Sequence, residues 1–186
     1  MANRNTQGFG LIPAGTLGQT PATSGQGKYK IDAGYGTTIF QNGAVASSAG
    51  YIIDGQTTDA PILGVLNGIF YNAATTLKPT FSNHYVQVTP ANSEDIDAFV
   101  FDNPQQRYVV ATDDSVAQSG YLETYDMNTS AGSTTTGQSS ATLDIGDTSA
   151  DAASFRLLRS AEDPENDENA AFRSVVVCIN LIELQS

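Results

Sequence analysis

Few residues in this chain could do chemistry. His84 is the single histidine. That excludes a three-histidine metal site, a His-x-His centre and an HExxH helix. It could serve one triad at most, and no GxSxG elbow exists to supply the nucleophile. Heading the run HYVQVT, it reads as a surface or strand-end histidine. Cys178 is the only cysteine and sits within VVVCINLI. A reactive thiolate needs an electropositive, polar setting, so Cys178 reads as a small buried thiol. It can form no internal disulfide, which fits synthesis in a reducing compartment.

The carboxylates fall into two groups, Glu94, Asp95, Asp97 and Asp102, then Glu162, Asp163, Glu165, Asp167 and Glu168. Paired acids could hydrolyse glycosides, and clustered oxygens could bind calcium. Neither group follows the EF-hand order, and a solvated acidic turn is the plainer reading of the second. Gly34–Gly36 (GYG) opens a strand, not a helix, so it cannot aim a helix N-terminus at phosphate. Asn128 begins an N-x-S sequon, which matters only in a secretory pathway. The 8 Phe and 8 Tyr, with no Trp, are spread through strand-like runs without an aligned stacking platform. No catalytic residue, cofactor or metal ligand is expected.

The elements that would carry these residues are short. Asn42-Gly43, Asp54-Gly55 and Asn67-Gly68 are hairpin-type pairs within thirty residues, a strong signal of antiparallel structure. Asn67-Gly68 divides PILGVLNGIFYN into two runs, predicting a hairpin over Ile62–Tyr71 with a type I′ turn. Its runs are apolar at consecutive positions, the pattern of strands covered on both faces. Ser174–Leu184 (SVVVCINLIEL) shares that pattern and is expected in the same core. Asp substituted for Leu66 or Val177 should therefore unfold or dissociate the protein. Other strands are expected at Tyr29–Asp32, Thr37–Gln41, His84–Thr89, Ile96–Phe101, Gly120–Asp126, Ala141–Ile145 and Phe155–Arg159. Arg107–Thr112 is expected to pair with Ile96–Phe101. Helical turns are expected at Asp113–Ser119 and Ser149–Ser154. Residues 127–140 (MNTSAGSTTTGQSS) read as a long polar surface loop or β-arm. The fold class is all-β, an antiparallel β-barrel or β-sandwich.

Residues 1–27 are rich in Gly, Thr, Ala and Pro, without helix or strand period. They divide the chain into an extended N-terminal arm, 1–27, and a β-rich domain, 28–186. Fully extended, such an arm reaches ~90 Å. Phe9, Leu11, Ile12 and Leu17 are its candidate contact residues. The domain is expected to fold without residues 2–27.

The totals bound the partners. With 20 acids against 8 bases the net charge is −12, which repels nucleic-acid phosphate and anionic membrane surfaces. No basic-then-apolar leader and no long apolar run appear, so a cleaved signal and a membrane span are not expected. A chain of 186 residues buries roughly 70% of its unfolded surface and needs no disulfide or metal to be stable.

Two blocks of sequence then carry a likeness. The first is GYGTTIFQNGAV, AGYI and APILGVLNGIFY; the second is TYDMNTSAGSTTTGQSSATLD followed by FRLLRSAEDPENDENAAFRSVVVCINL. Over roughly residues 29–182 the order resembles capsid decoration, or cement, proteins of tailed bacteriophages. The resemblance implies a small all-β virion protein, often a homotrimer. It would bind the major capsid protein on the outer capsid surface, between capsomers, and stabilise the shell. Its motifs are structural, so it transfers no catalytic residue. A tail- or fibre-type binding module, adhesin or lectin-like, is the competing reading, and a carboxylate glycosidase is the third.

Overall fold

The structure is a computed structural model that describes residues 5–17, 25–55, 61–128, 132–146, 154–162, 164–167, 169–180 and 182–185. Two antiparallel sheets dominate. The first has the spatial order β1 (Ile12–Thr16), β8 (Gln106–Ala111), β13 (Ser174–Ile179), β12 (Phe155–Ser160), β9 (Thr124–Tyr125). The second runs β2 (Gly27–Ile31), β7 (Ile96–Phe101), β5 (Gly64–Asn72), β3 (Ala44–Ser48), β4 (Tyr51–Asp54), and β6 (Pro79–Ser82) joins β5 beside β3. A small ribbon pairs β10 (Met127–Asn128) with β11 (Thr142–Leu143). Helical structure among the described residues is limited to short 3-10 turns at Ala91–Ser93, Gln118–Gly120 and Glu183–Gln185. The fold is all-β and consistent with a sandwich. The barrel alternative is not met: β2 and β4, the edges of the second sheet, approach each other without joining in a ladder.

There are two cores. The one between the sheets takes Tyr108, Val110, Phe155, Leu157, Val175, Val177 and Ile179 from the first sheet and Ala44 and Val65 from the second. The other lies in the curl of the second sheet, around Val45, Ile52, Leu66, Ile69, Tyr85, Ile96, Ala98 and Val100. This division explains the unbroken apolar runs. Val65 faces one core and Leu66 the other, so β5 has no polar face at its start. β13 is the middle strand of its sheet and all six of its residues are buried. The two apolar runs meet directly where Ile62 bridges Ile182.

The expected hairpin at Asn67-Gly68 does not form. β5 runs through it as one strand, and Asn67 is the extra residue of a β-bulge against β7, where Leu66 opposes Val100 and Gly68 opposes Phe99. The physical reason is pairing on both sides: β7 takes one edge of β5, while β3 and β6 share the other. Ladder bonds on both edges outweigh the local turn preference of Asn-Gly. Of the other two pairs, Asn42-Gly43 does turn. Asn42 has φ 63, and Gly43 N donates to Phe40 O at 3.0 Å. Asp54-Gly55 does not, because Gly55 N still donates to Ala44 O. The hairpin of this region is β3–β4, turning at Ala49 and Gly50, both with positive φ.

Further corrections follow from the sheet order. β8 is not the neighbour of β7: the chain changes sheets at Asp102–Gln105, where Asn103 Oδ1 accepts from Gln105 N and Asn103 O from Gln106 N. His84–Thr89 forms no strand beyond a bridge from Tyr85 to Ile39. Gly120–Asp126 contributes only β9. The turn expected at 149–154 lies outside the described residues except for Ser154.

The largest correction concerns the N-terminal segment. Residues 12–16 are β1, paired antiparallel with β8 and bulged near Gly15. Leu11 is fully buried in the core between the sheets, and its N–H donates to Asn42 O at 2.7 Å. An apolar residue with a place in the core gains more by entering it than by staying in solvent. Residues 5–17 are therefore part of the domain's own packing.

Candidate interaction surface

The residues expected to carry chemistry are dispersed, and several have a local partner. His84 Nδ1 lies 2.9 Å from Asn83 Oδ1, and its ring stacks on Phe40. Cys178 is buried between Arg107 and Arg156 at its register positions. Burial pushes its thiol pKa up, against the opposing pull of the arginines. Asp102 accepts from the Tyr29 hydroxyl at 2.7 Å. Burial first and this bond second push Tyr29 up to about 12. Asp95 accepts from Tyr51, and Glu162 pairs with Arg159 at 3.0 Å. Asp163 and Glu168 lie outside the described residues. Within the acidic loop, Asn166 does the structural work. Its amide donates to Ser174 O and its carbonyl accepts from Ser174 N, closing the β12–β13 loop. Among the described residues no cluster of His, Cys, Asp or Glu could hold a metal.

Of the four arm residues, Leu11 is unavailable to any partner because it is in the core. Phe9 and Leu17 are half-buried, and Ile12 is 42% exposed on β1. The structure does not bring them together as an apolar contact set.

An aromatic surface appears elsewhere, on the outer face of the second sheet. β7 alternates strictly: Ile96, Ala98 and Val100 face the inner core, while Asp97, Phe99 and Phe101 face outward. Phe101 is covered by the first sheet. Beyond that cover the same face is partly exposed, with Phe70 and Phe99 half-buried. Here the bulge matters. The extra residue Asn67 shifts the parity of β5, so Gly68 and Phe70 oppose Phe99 and Asp97. Phe81 on β6 opposes Phe70. Gly68 leaves the space that the Phe81 ring occupies, since a Cβ there would come 2.8 Å from Phe81 Cζ. Phe81 and Phe99 pack at 6.4 Å between ring centroids. Phe81 nevertheless remains 63% exposed. Burying a phenylalanine ring is worth about 1.5–3 kcal/mol, so this face holds unused binding energy.

Charge flanks the rings. Asp97 pairs with Lys28 at 2.7 Å and Lys30 at 2.6 Å. Partial burial works to raise the Asp97 pKa, but the bonds from Lys28 and Lys30 outweigh it and hold the carboxyl below its usual range. On a chain of net charge −12, this places two of the three lysines on the same face as these rings. The sequence signal was present in IDAFVF, whose aromatics alternate with core residues. Without the sheet order, nothing told which alternate face would stay uncovered.

The chain matches no family model, no curated protein and no solved structure.

Proposed function

We propose that this protein is a structural component of a tailed-phage virion that decorates the outer capsid surface and stabilises the shell. In this reading it sits as a homotrimer between capsomers and contacts the major capsid protein. The observation that carries it is the outer face on which Phe81, 63% exposed, stands with half-buried Phe70 and Phe99 and a lysine flank. The resemblance of its segment order to capsid decoration proteins motivates it, and the acid excess suits a surface facing away from packaged DNA. A shell protein needs complementary area repeated many times, because avidity sums modest contacts.

The test uses purified phage heads lacking the protein, and light scattering of the free chain. The wild type is expected to sediment with heads and to scatter as a trimer. Phe81→Ala should weaken attachment or assembly by about tenfold, from the loss of about 1–2 kcal/mol of apolar burial. Phe99→Asp should abolish it while the circular dichroism spectrum stays β-type. A monomeric wild type with no affinity for heads sinks the reading.

A further inference from the structure

Two stretches singled out in the sequence remain unused: the N-terminal segment and the polar loop with TTTG. They come together. Between residues 5–9 and 132–140 lies a cleft of about 670 Å³, lined by Asn5, Gln7, Phe9, Ser133, Thr136 and Gln138 among others, with no ionisable residue among the described lining residues. That volume falls within the range of ligand sites, about 300–1,000 Å³.

The cleft is built rather than left over. Gly8 lies so close to the loop that a Cβ would stand 2.1 Å from Ser140 O. At Gly132 a Cβ would stand 2.3 Å from Gln138 O and 2.5 Å from the Phe40 ring. Gly10 N donates to Ala141 O, and Gln41 N donates to Gly137 O. Asn83 Nδ2 holds the far wall, donating to Thr136 O at 2.8 Å and to Gln41 Oε1 at 3.1 Å. Walls fixed in this way reduce the ordering cost of binding.

We propose that this cleft binds a neutral saccharide. Amide and hydroxyl groups both donate and accept, as sugar hydroxyls do. Half-buried Phe9 supplies an apolar ring for the C–H face of a pyranose. Among the described lining residues a phosphorylated or carboxylated ligand finds no cation, on a chain already at −12. An apolar ligand finds a single ring. The inference is independent of the capsid reading, since it concerns free sugar and uses none of the Phe70–Phe81–Phe99 face.

Saturation-transfer NMR on the full chain tests it, with maltohexaose, cellohexaose and chitohexaose as neutral probes. Hyaluronan oligosaccharide and an uncharged Gly-Ser-Thr peptide serve as controls. At least one neutral hexaose should receive transfer at millimolar concentration. Phe9→Ala should weaken its binding about tenfold. Gln138→Glu, at an exposed position, should weaken it without shifting the melting temperature, and keeps the test open should Phe9→Ala fail to fold. Three outcomes overturn the proposal: no transfer to any neutral hexaose, unchanged binding in the folded variants, or equal transfer to either control.

Discussion

At the scale of single residues, several acids of this protein are held by local partners. Asp97 is the clearest case, held between Lys28 and Lys30 on the outer face of β7. Its folded pKa lies below the unfolded value. The triad's contribution is therefore fully present above about pH 4 and is lost as pH falls through the lowered folded value. Both lysines are half or more exposed, so solvent screens the pair and its worth is about 1 kcal/mol or less. Asp97→Asn should lower the melting temperature slightly at neutral pH. The gap to wild type should close in strong acid and narrow at high salt. A gap that persists at low pH would assign the effect to packing instead. The aromatic neighbours of Asp97 were not legible as a site. A half-buried phenylalanine in a strand reads like any core residue until the covering layer is known.

At the scale of elements, the bulge in β5 has the widest consequence. One extra residue, Asn67, lets Leu66 and Ile69 both face the inner core while Val65, Gly68 and Phe70 face outward. Gly68 is buried under Phe81 and beside the Ser82 carbonyl. Gly68→Ala should destabilise the fold by about 1–3 kcal/mol, the usual cost of overpacking. Part of that strain falls on the Phe81 ring, which can move, and part on Ser82 O, which is backbone. Adding Phe81→Ala should therefore restore only some of the lost stability in a double-mutant cycle. Full restoration would place the whole clash on the ring. The sequence showed Asn-Gly and apolar flanks, and the hairpin inference was locally sound. It failed because pairing on both edges is a long-range property. By contrast β2, β7, β12 and β13 were legible, since alternation or continuous apolarity is written within each run.

At the scale of the whole molecule, the N-terminal segment changes role. Leu11 is in the main core and β1 closes the edge of the first sheet. Leu11→Ala should lower stability by about 2–5 kcal/mol, read from denaturant unfolding. Removing residues 2–17 should be more damaging still, against the expectation that the domain folds without residues 2–27. A truncated chain with an unchanged unfolding midpoint would return the segment to the status of a free arm. With β1 in place, the outer aromatic face and the cleft lie on separate sets of residues.

The sequence by itself determined the all-β class, the central position of the β5 and β13 runs and the burial of Cys178. Each depends on local pattern: short β-type runs, turn residues, and apolar positions without alternation. Only the tertiary structure decided that β7 and β8 lie in different sheets, that Asn67-Gly68 is a bulge, and that Leu11 is core. It alone set Phe81 and Phe99 together on the outer face of the second sheet. Those outcomes depend on which strand lies beside which, and that choice is made by burial summed over the whole chain.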